Sequence, residues 1–462
     1  MNAPRHSGHT LSALMLLAAA TSATAGTFAD WLDTSTLGAE LIYFQRHSDR
    51  YNIDDDRRHT LRNHRTVQTR LDFVSAYAAD TIGVDLGMFT ANDTANCCAP
   101  DHEFNFVPWR NPWEPDWSKK HARDGASLYR AHIKLRHDGW WGKFGYYQPE
   151  GPGVFGVNWS VLPGTLRGFE GGGQLDLGDS ASPHHKLVFA LQWANAYKAP
   201  WYREVAHFRG ADNESRVDDM YSLGARFESS TASSARSVEL AWGEARDFLQ
   251  NAHLKLKYQR ELSPVSSTAL SYQLYATSDR VRGNDAGYFG GGRAWQHYLA
   301  WHGSKAPWSA KVEFTHSRAP SRNADHHGYF VYRLTGRYAG ANGAYEPWWD
   351  NRSDWNHNRE SAGFLSLART LDDILPTPGF SAAFSTAYGR GGRVYGVSET
   401  LRESAWSIHL AYVVPSGTLK GTQTSLHYTR YDNHTRQPSW EGFKNLFQDE
   451  RDLKFLVMVP IK

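Results

Sequence analysis

Apolar and polar residues alternate along most of this chain in stretches of about ten, joined in turn by a tight connection and a long loop. The segment 126–136 carries the pattern well, with Tyr129, Ala131, Ile133 and Leu135 alternating with Arg130, His132, Lys134 and Arg136. Side chains of a β-strand point alternately to opposite faces, so such a strand has one apolar face and one cationic face. A cationic face buried in a soluble core is costly. It costs little where it lines water while the apolar face meets lipid. The feature therefore restricts the chain to an all-β fold, a transmembrane antiparallel β-barrel.

The N-terminus fits that destination. Arg5 opens a basic stretch, 11–20 is an apolar run centred on Leu14, Met15, Leu16 and Leu17, and Ala23-Thr24-Ala25 forms a small-residue cleavage site. The run is far shorter than the ~20 residues of a spanning helix, so 1–25 reads as a secretory signal peptide and 26–462 as a single barrel domain. An exported chain without a spanning helix is either soluble or an outer-membrane barrel.

Alternation and turn residues place strands at 37–46, 67–77, 81–89, 126–136, 139–147, 165–177, 186–195, 217–228, 235–243, 250–260, 266–277, 293–303, 307–317, 358–370, 378–389, 401–413, 419–430 and 451–461. Connections at 78–80, 137–138, 304–306 and 415–418 are short. Those at 47–66, 90–125, 148–164, 196–216, 318–357 and 431–450 are long. Short periplasmic turns opposite long extracellular loops are the bacterial pattern, and a barrel of about 16–18 strands leaves an aqueous channel. Leu254, Leu256 and Tyr258 against His253, Lys255, Lys257 and Gln259 repeat the two-faced arrangement, as do Val312 and Phe314 against Lys311, Glu313 and Thr315. A large soluble sandwich is the alternative, but neither helices nor linkers accompany the cationic faces.

Aromatic residues make up 14% of the chain, with 18 Trp and 23 Tyr, enough to supply girdles at both membrane interfaces. A net charge of +2 argues against a nucleic-acid partner. Cys97 and Cys98 are adjacent, leaving open a strained vicinal bridge or two thiols. The pairs His184-His185 and His326-His327 fall in connections and read as solvated. There is no nucleophile elbow, phosphate-cradling glycine loop or metal-ligand spacing, so neither catalysis nor a cofactor or metal is expected.

Three groups of residues are candidates for contact with a solute. The Gly- and Pro-rich loop 148–164, with Trp159, suits a segment folded inward to narrow the channel. Tryptophans crowd the outer loops: Trp109, Trp113 and Trp117, then Trp201, Trp348, Trp349, Trp355 and Trp440. Flat rings beside polar groups suit a sugar, which offers an apolar face for stacking and hydroxyls for hydrogen bonds. That selects Trp159, Trp201, Trp348 and Trp349, with Asp350, Asn351, Arg352, Asp354, Asp432 and Asn433 beside them. The lumen-facing Arg70, Arg130, Lys134, Lys255 and Lys257 either form a cationic ladder or balance loop carboxylates.

The strings NWSVLPG (158–164), YKAPW (197–201), WWDNRSDWN (348–356), YDNH (431–434) and NLFQDERDLKFLVMVP (445–460) resemble those of the chitoporins of enteric bacteria, members of the OprD-type family of substrate-specific outer-membrane porins. The resemblance runs over essentially the whole mature chain. It implies an 18-stranded barrel with inward-folded loops and diffusion of chitooligosaccharides, the N-acetylglucosamine oligomers, into the periplasm. Relatives of this type also pass basic amino acids and other small charged solutes, which gives a second substrate class. The partners implied are a chitooligosaccharide or similar small solute, outer-membrane lipid and the barrel-assembly machinery. Barrels usually end on an aromatic residue read by that machinery; this chain ends Pro460-Ile461-Lys462.

Overall fold

Each alternating stretch forms a strand: β1 (Thr36–Asn52), β2 (Arg57–Val74), β3 (Ile82–Cys98), β4 (Gly125–His137), β5 (Trp140–Tyr147), β6 (Thr165–Asp176) and β7 (His184–Lys198). A pair of two-residue strands, β8 (Phe208–Arg209) and β9 (Arg216–Val217), lies within a loop. The series continues with β10 (Met220–Ser230), β11 (Ser234–Ala245), β12 (Leu249–Ser263), β13 (Ser266–Asp279), β14 (Arg293–Lys305) and β15 (Trp308–Arg318). It ends with β16 (Ser361–Thr370), β17 (Phe380–Gly392), β18 (Leu401–Val413), β19 (Gln423–Asn433) and β20 (Glu450–Ile461). The computed structural model describes residues 31–52, 55–98, 125–157, 163–178, 183–200, 202, 205–211, 215–281, 287–320, 328–335, 343–435 and 448–461. The leader expected over 1–25 lies outside the described residues.

All but β8 and β9 join one 18-stranded sheet of antiparallel neighbours. β1 pairs with β2 on one side and, from Ala39↔Ile461 to Arg50↔Glu450, with β20 on the other, so the sheet closes. Closure removes both edges and pairs the backbone within the wall, which lipid demands because it offers no hydrogen bonds.

The wall separates two chemistries. Ile133, Phe144, Leu240 and Leu299 remain 44%, 64%, 59% and 53% exposed, and similar apolar side chains ring the outside. A soluble monomer rarely shows an apolar patch of more than a few hundred Å², so this belt is a lipid face. Inward positions are polar: His64, Thr66, Gln68, Gln192, Asn251, Gln273 and Gln296 are buried within the barrel. The turn between β4 and β5 shows how tightly one end is closed. Asp138 and Gly139 have φ of 44° and 83°, the pair of positive values that a two-residue type I′ hairpin needs.

Three features depart from the sequence reading. Residues 47–66 and 90–98, read as loops, are largely strand, since β1 runs to Asn52, β2 starts at Arg57 and β3 reaches Cys98. Above the lipid neither face must be apolar, so the ladder continues after the alternation has stopped. At the opposite, short-turn end, where the lipid rule also lapses, His184 and His185 open β7 rather than sitting in a connection. Cys97, near the top of β3, is disulfide-bonded.

The third departure is in β4. Gly87 pairs with Arg130 but Met88 with Leu128, leaving Tyr129 as the extra residue of a bulge. Its side chain is therefore buried, with the hydroxyl donating to Asp72, rather than joining Ala131, Ile133 and Leu135 on the lipid side.

Candidate functional site

Two segments turn back into the barrel and meet. The first, 148–157, follows β5. Its main chain docks on the wall: Glu170 on β6 accepts from the amides of Glu150 (3.1 Å) and Gly151 (2.8 Å) and from Gln192 Nε2 (2.7 Å), while the Val154 amide donates to Ser222 Oγ (2.8 Å). The second follows β15 and is described over 328–335 and 343–360. Its Ala344 amide donates to the Val154 carbonyl (3.0 Å). A Cβ on Gly156 would fall 1.9 Å from the Gly343 carbonyl oxygen, so only glycine allows the two chains to pass this close. Val154, Phe155 and Val157 then join Tyr275, Phe330 and Tyr332 in one buried cluster.

The second segment is clamped by side chains. Trp349 is 5% exposed, donates its indole N–H to Glu313 Oε2 (2.6 Å) and stacks on Phe364 at 5.3 Å. Asp350 pairs with Lys454 on β20 (3.0 Å), and its carbonyl lies 2.9 Å from His427 Nε2 on β19. Burial works against the Asp350 charge, but Lys454 and His427 outweigh it and hold the carboxyl below the usual range. Asn351 Oδ1 accepts from Ser407 (2.7 Å) and Ser385 (3.2 Å), and Arg352 Nε pairs with the buried Glu450 (2.8 Å). The WWDNRSDWN string thus spans the inner face from β15 to β20. Composition places it among the outer loops and singles out 148–164 as the segment turned inward, while the resemblance implies inward-folded loops without saying which.

Between the segments and the wall of β10 to β12 lies a cavity of about 720 Å³ lined by Pro149, Phe155, Arg226, Glu239, Lys255, Lys257, Glu346 and Trp348, among others. A second cavity of about 540 Å³ shares Ser237, Lys257 and Glu346 with it and adds Lys186, Gln259, Gln273 and His302. Together they trace a polar pathway. Its charges are paired: Lys255 and Lys257 reach Glu346 at 2.8 and 2.7 Å, and Arg226 reaches Glu228 at 2.6 Å and Glu239 at 3.2 Å. Burial opposes the Glu346 charge, yet the two lysines dominate and hold its carboxyl at about 2. His253 lies 2.8 Å from both Glu239 Oε1 and the Tyr332 hydroxyl, tying the wall to the second segment. Trp348, 70% exposed at the cavity, is the indole with a free face.

The opposite wall repeats the pairing. Arg70 meets Glu40 (3.3 Å) and Asp72 (3.2 Å), Arg130 meets Asp72 (3.8 Å), and Lys134 meets Asp85 (2.7 Å). Of the two readings of the basic residues, the structure has cations balanced by carboxylates, from strands as well as from a loop.

The remaining candidates are scattered. Trp159 and Trp201 lie outside the described residues, as do Trp109, Trp113, Trp117, Trp440, His326 and His327. Asp354 is exposed. Asp432 pairs with Arg430 (3.1 Å) on the face of β19 opposite the buried Tyr431 and Asn433, so it points away from the channel. Asn433 organises a strand end, accepting from the Thr435 amide (2.9 Å). Sequence reasoning missed Glu239, Glu346 and Glu170. For Glu239 a signal existed: Arg226 and Lys255 both sit directly across from it in register.

No family model matches the chain. It is 35% identical over 445 residues to the chitoporin of Escherichia coli K12, covering 93% of this chain and 92% of that protein. Among solved structures, the outer membrane protein OpdK of Pseudomonas aeruginosa matches with a TM-score of 0.65 at 12% identity, over 92% of this chain and 98% of that one. OccK9 (OpdG) of the same organism gives 0.71 at 14% identity, over 93% and 100%. OccAB3 of Acinetobacter baumannii gives 0.69 at 13% identity, over 92% and 99%. These low identities speak for the barrel alone.

Proposed function

Because the chain belongs to the chitoporin family of outer-membrane porins, we propose that it carries N-acetylglucosamine oligomers across the outer membrane by facilitated diffusion, after export directed by the leader at 1–25. The observation that carries the reading is the cavity between the two inward segments, where the exposed Trp348 indole stands beside charges that are already paired. A pyranose ring stacks on the indole. Its hydroxyl and acetamido groups then exchange water for donors on Lys255, Lys257 and Arg226 and acceptors on Glu239 and Glu346. Paired charges supply such hydrogen bonds without the strong field that would favour an ion. A channel for basic amino acids needs carboxylates free to meet them, whereas Glu239 and Glu346 are each engaged by cations.

Binding must collect dilute sugar and still release it. Affinities from millimolar to micromolar, about −4 to −8 kcal/mol, meet both needs. The test is single-channel current in a planar bilayer. The N-acetylglucosamine hexamer is expected to block the current saturably, and a malto-oligomer of equal length much less, since losing the acetamido group leaves polar partners unmatched at about 1–3 kcal/mol. Trp348→Ala should weaken the block about two- to tenfold, given about 0.5–1.5 kcal/mol for an aromatic stack. Equal block by both sugars would reduce the protein to a general porin. Block by lysine or arginine alone would overturn the sugar reading.

A further inference from the structure

The end of the second inward segment holds a cluster that solute passage does not use. His357 and Glu360 sit on the turn leading into β16, and Glu403 enters from β18. All three are 0% exposed. His357 Nδ1 lies 2.9 Å from Glu360 Oε2 and 3.9 Å from Glu403 Oε1, and a ligand atom from each lies within 4.8 Å of the other two. The turn is rigid, because the Glu360 amide donates to the His357 carbonyl (3.0 Å), and its ends bond to Ser317 and Arg393. Glu403 is aimed: Tyr431 donates its hydroxyl to Oε2 (2.5 Å), turning Oε1 toward the histidine.

The charges do not close. Among the described residues no lysine or arginine pairs with Glu360 or Glu403, and Oε1 of each lacks a hydrogen-bond partner. Two buried carboxylates beside one imidazole need positive charge, as protons or as a cation, to be tolerable. A divalent ion beside a neutral imidazole supplies the whole of it. A tetrahedral ion with ligands at about 2.0–2.2 Å spaces them by roughly 3.3–3.6 Å, between the two distances found. A Cβ at Gly389 would sit 2.4 Å from Glu360 Oε1, so the absence of a side chain on β17 leaves that oxygen its room. The sequence hid the set because Glu403 comes from a strand well beyond the His357–Glu360 turn.

We propose that His357, Glu360 and Glu403 bind a divalent first-row cation such as Zn²⁺, fastening the inward segment to the barrel wall, with Tyr431 positioning Glu403. Imidazole with carboxylates suits the middle of that series.

The test uses untagged, full-length protein refolded in detergent, with heat-modifiable gel mobility confirming the barrel in each variant. After chelator treatment and dialysis, titration with ZnCl₂ or MnCl₂ should load one ion per chain, read by elemental analysis, and raise the unfolding midpoint. Glu403→Gln and Glu360→Gln should lose that ion, and Tyr431→Phe should weaken it about ten- to a hundredfold as an outer partner. The proposal is overturned if the wild type takes up no stoichiometric ion or if Glu403→Gln binds as well as the wild type. It is equally overturned if infrared difference spectra show a protonated carboxyl, absent in Glu403→Gln, that persists with metal in excess, since a shared proton would then balance the charge. Metal content reads the same whichever solute the channel passes, so this result is independent of the sugar reading.

Discussion

The two inward segments are neighbours in the channel but are held by opposite means. Residues 148–157 are seated mainly through their backbone: the wall reaches out to it with Glu170, Gln192 and Ser222, glycine makes the fit possible, and of the side chains Gln148 donates to the Tyr129 and Gly164 carbonyls and Glu150 pairs with Lys143. Residues 346–360 reach outward with Trp349, Asp350, Asn351 and Arg352 to six strands, β15 to β20. One is seated through its backbone and a close fit of glycines, the other through its side chains, and each should fail to a different perturbation.

The largest effect is expected from the charged clamp. Arg352→Ala removes the partner of a fully buried carboxylate, and although Arg50 still reaches Glu450 (2.8 Å), breaking a buried pair costs about 3 kcal/mol or more. The unfolding midpoint should drop and single-channel current should become noisy. An unchanged midpoint would make the clamp ornamental. Next comes the shape-held segment. Gly156→Val forces a side chain into the Gly343 carbonyl, an overpacking cost of about 1–3 kcal/mol, so conductance should rise while gel mobility still reports a closed barrel. Wild-type conductance would mean that the segments do not set the bore.

A smaller effect is expected where the segments face the solute. Glu346→Gln frees Lys257 and leaves Lys255 with Glu239 alone (3.6 Å), and should shift the reversal potential toward anions without unfolding the barrel, as lumen substitutions do. The pH dependence has a definite sign. The Glu346 carboxyl is depressed from 4.5 to about 2, so its pairing is complete above about 4.5 and is lost as pH falls through 2. Selectivity should therefore stay level from neutral pH to about 4.5; titration of the wild type near pH 4.5 would contradict the pairing. The smallest effect is expected from salt, since raising ionic strength screens buried pairs least. Arg352–Glu450, with its carboxylate fully buried, should hold at 1 M salt, where the Debye length is about 3 Å, leaving the unfolding midpoint nearly unchanged.

The barrel was legible because lipid imposes a rule on every second residue, and Leu254, Leu256 and Tyr258 on β12 obey it. Where the rule lapses, so does legibility: Arg57 to Thr60 pair with Asp49 to Asn52 above the lipid with no apolar face to mark them. The bulge at Tyr129 was invisible because one extra residue reverses the phase without changing composition. The site was readable in kind but not in detail. Trp348 and Trp349 are adjacent, yet one faces the cavity and the other is locked on Phe364. That outcome depends on Glu313 and Phe364, which come from two different strands. Likewise Glu346 lies 91 positions from Lys255, a pairing no local pattern announces.

The paired charges along the channel also bear on how a long solute moves. Lys255 and Lys257 are same-face neighbours ~6.6–6.8 Å apart along β12, and Arg226 and Glu239 stand across from Lys255 on strands ~4.8 Å apart, so with Glu346 facing them these charges form a corrugated track rather than a single well. A molecule shorter than the corrugation drops into each dip and must climb out. A chain of repeating units longer than it always has some units in dips and others on crests, so its total energy stays nearly level as it slides. The resistance to each step is then one exchanged hydrogen bond, about 1 kcal/mol net, however many contacts hold the chain. A chain long enough to span several such pairs would be gripped firmly and still move.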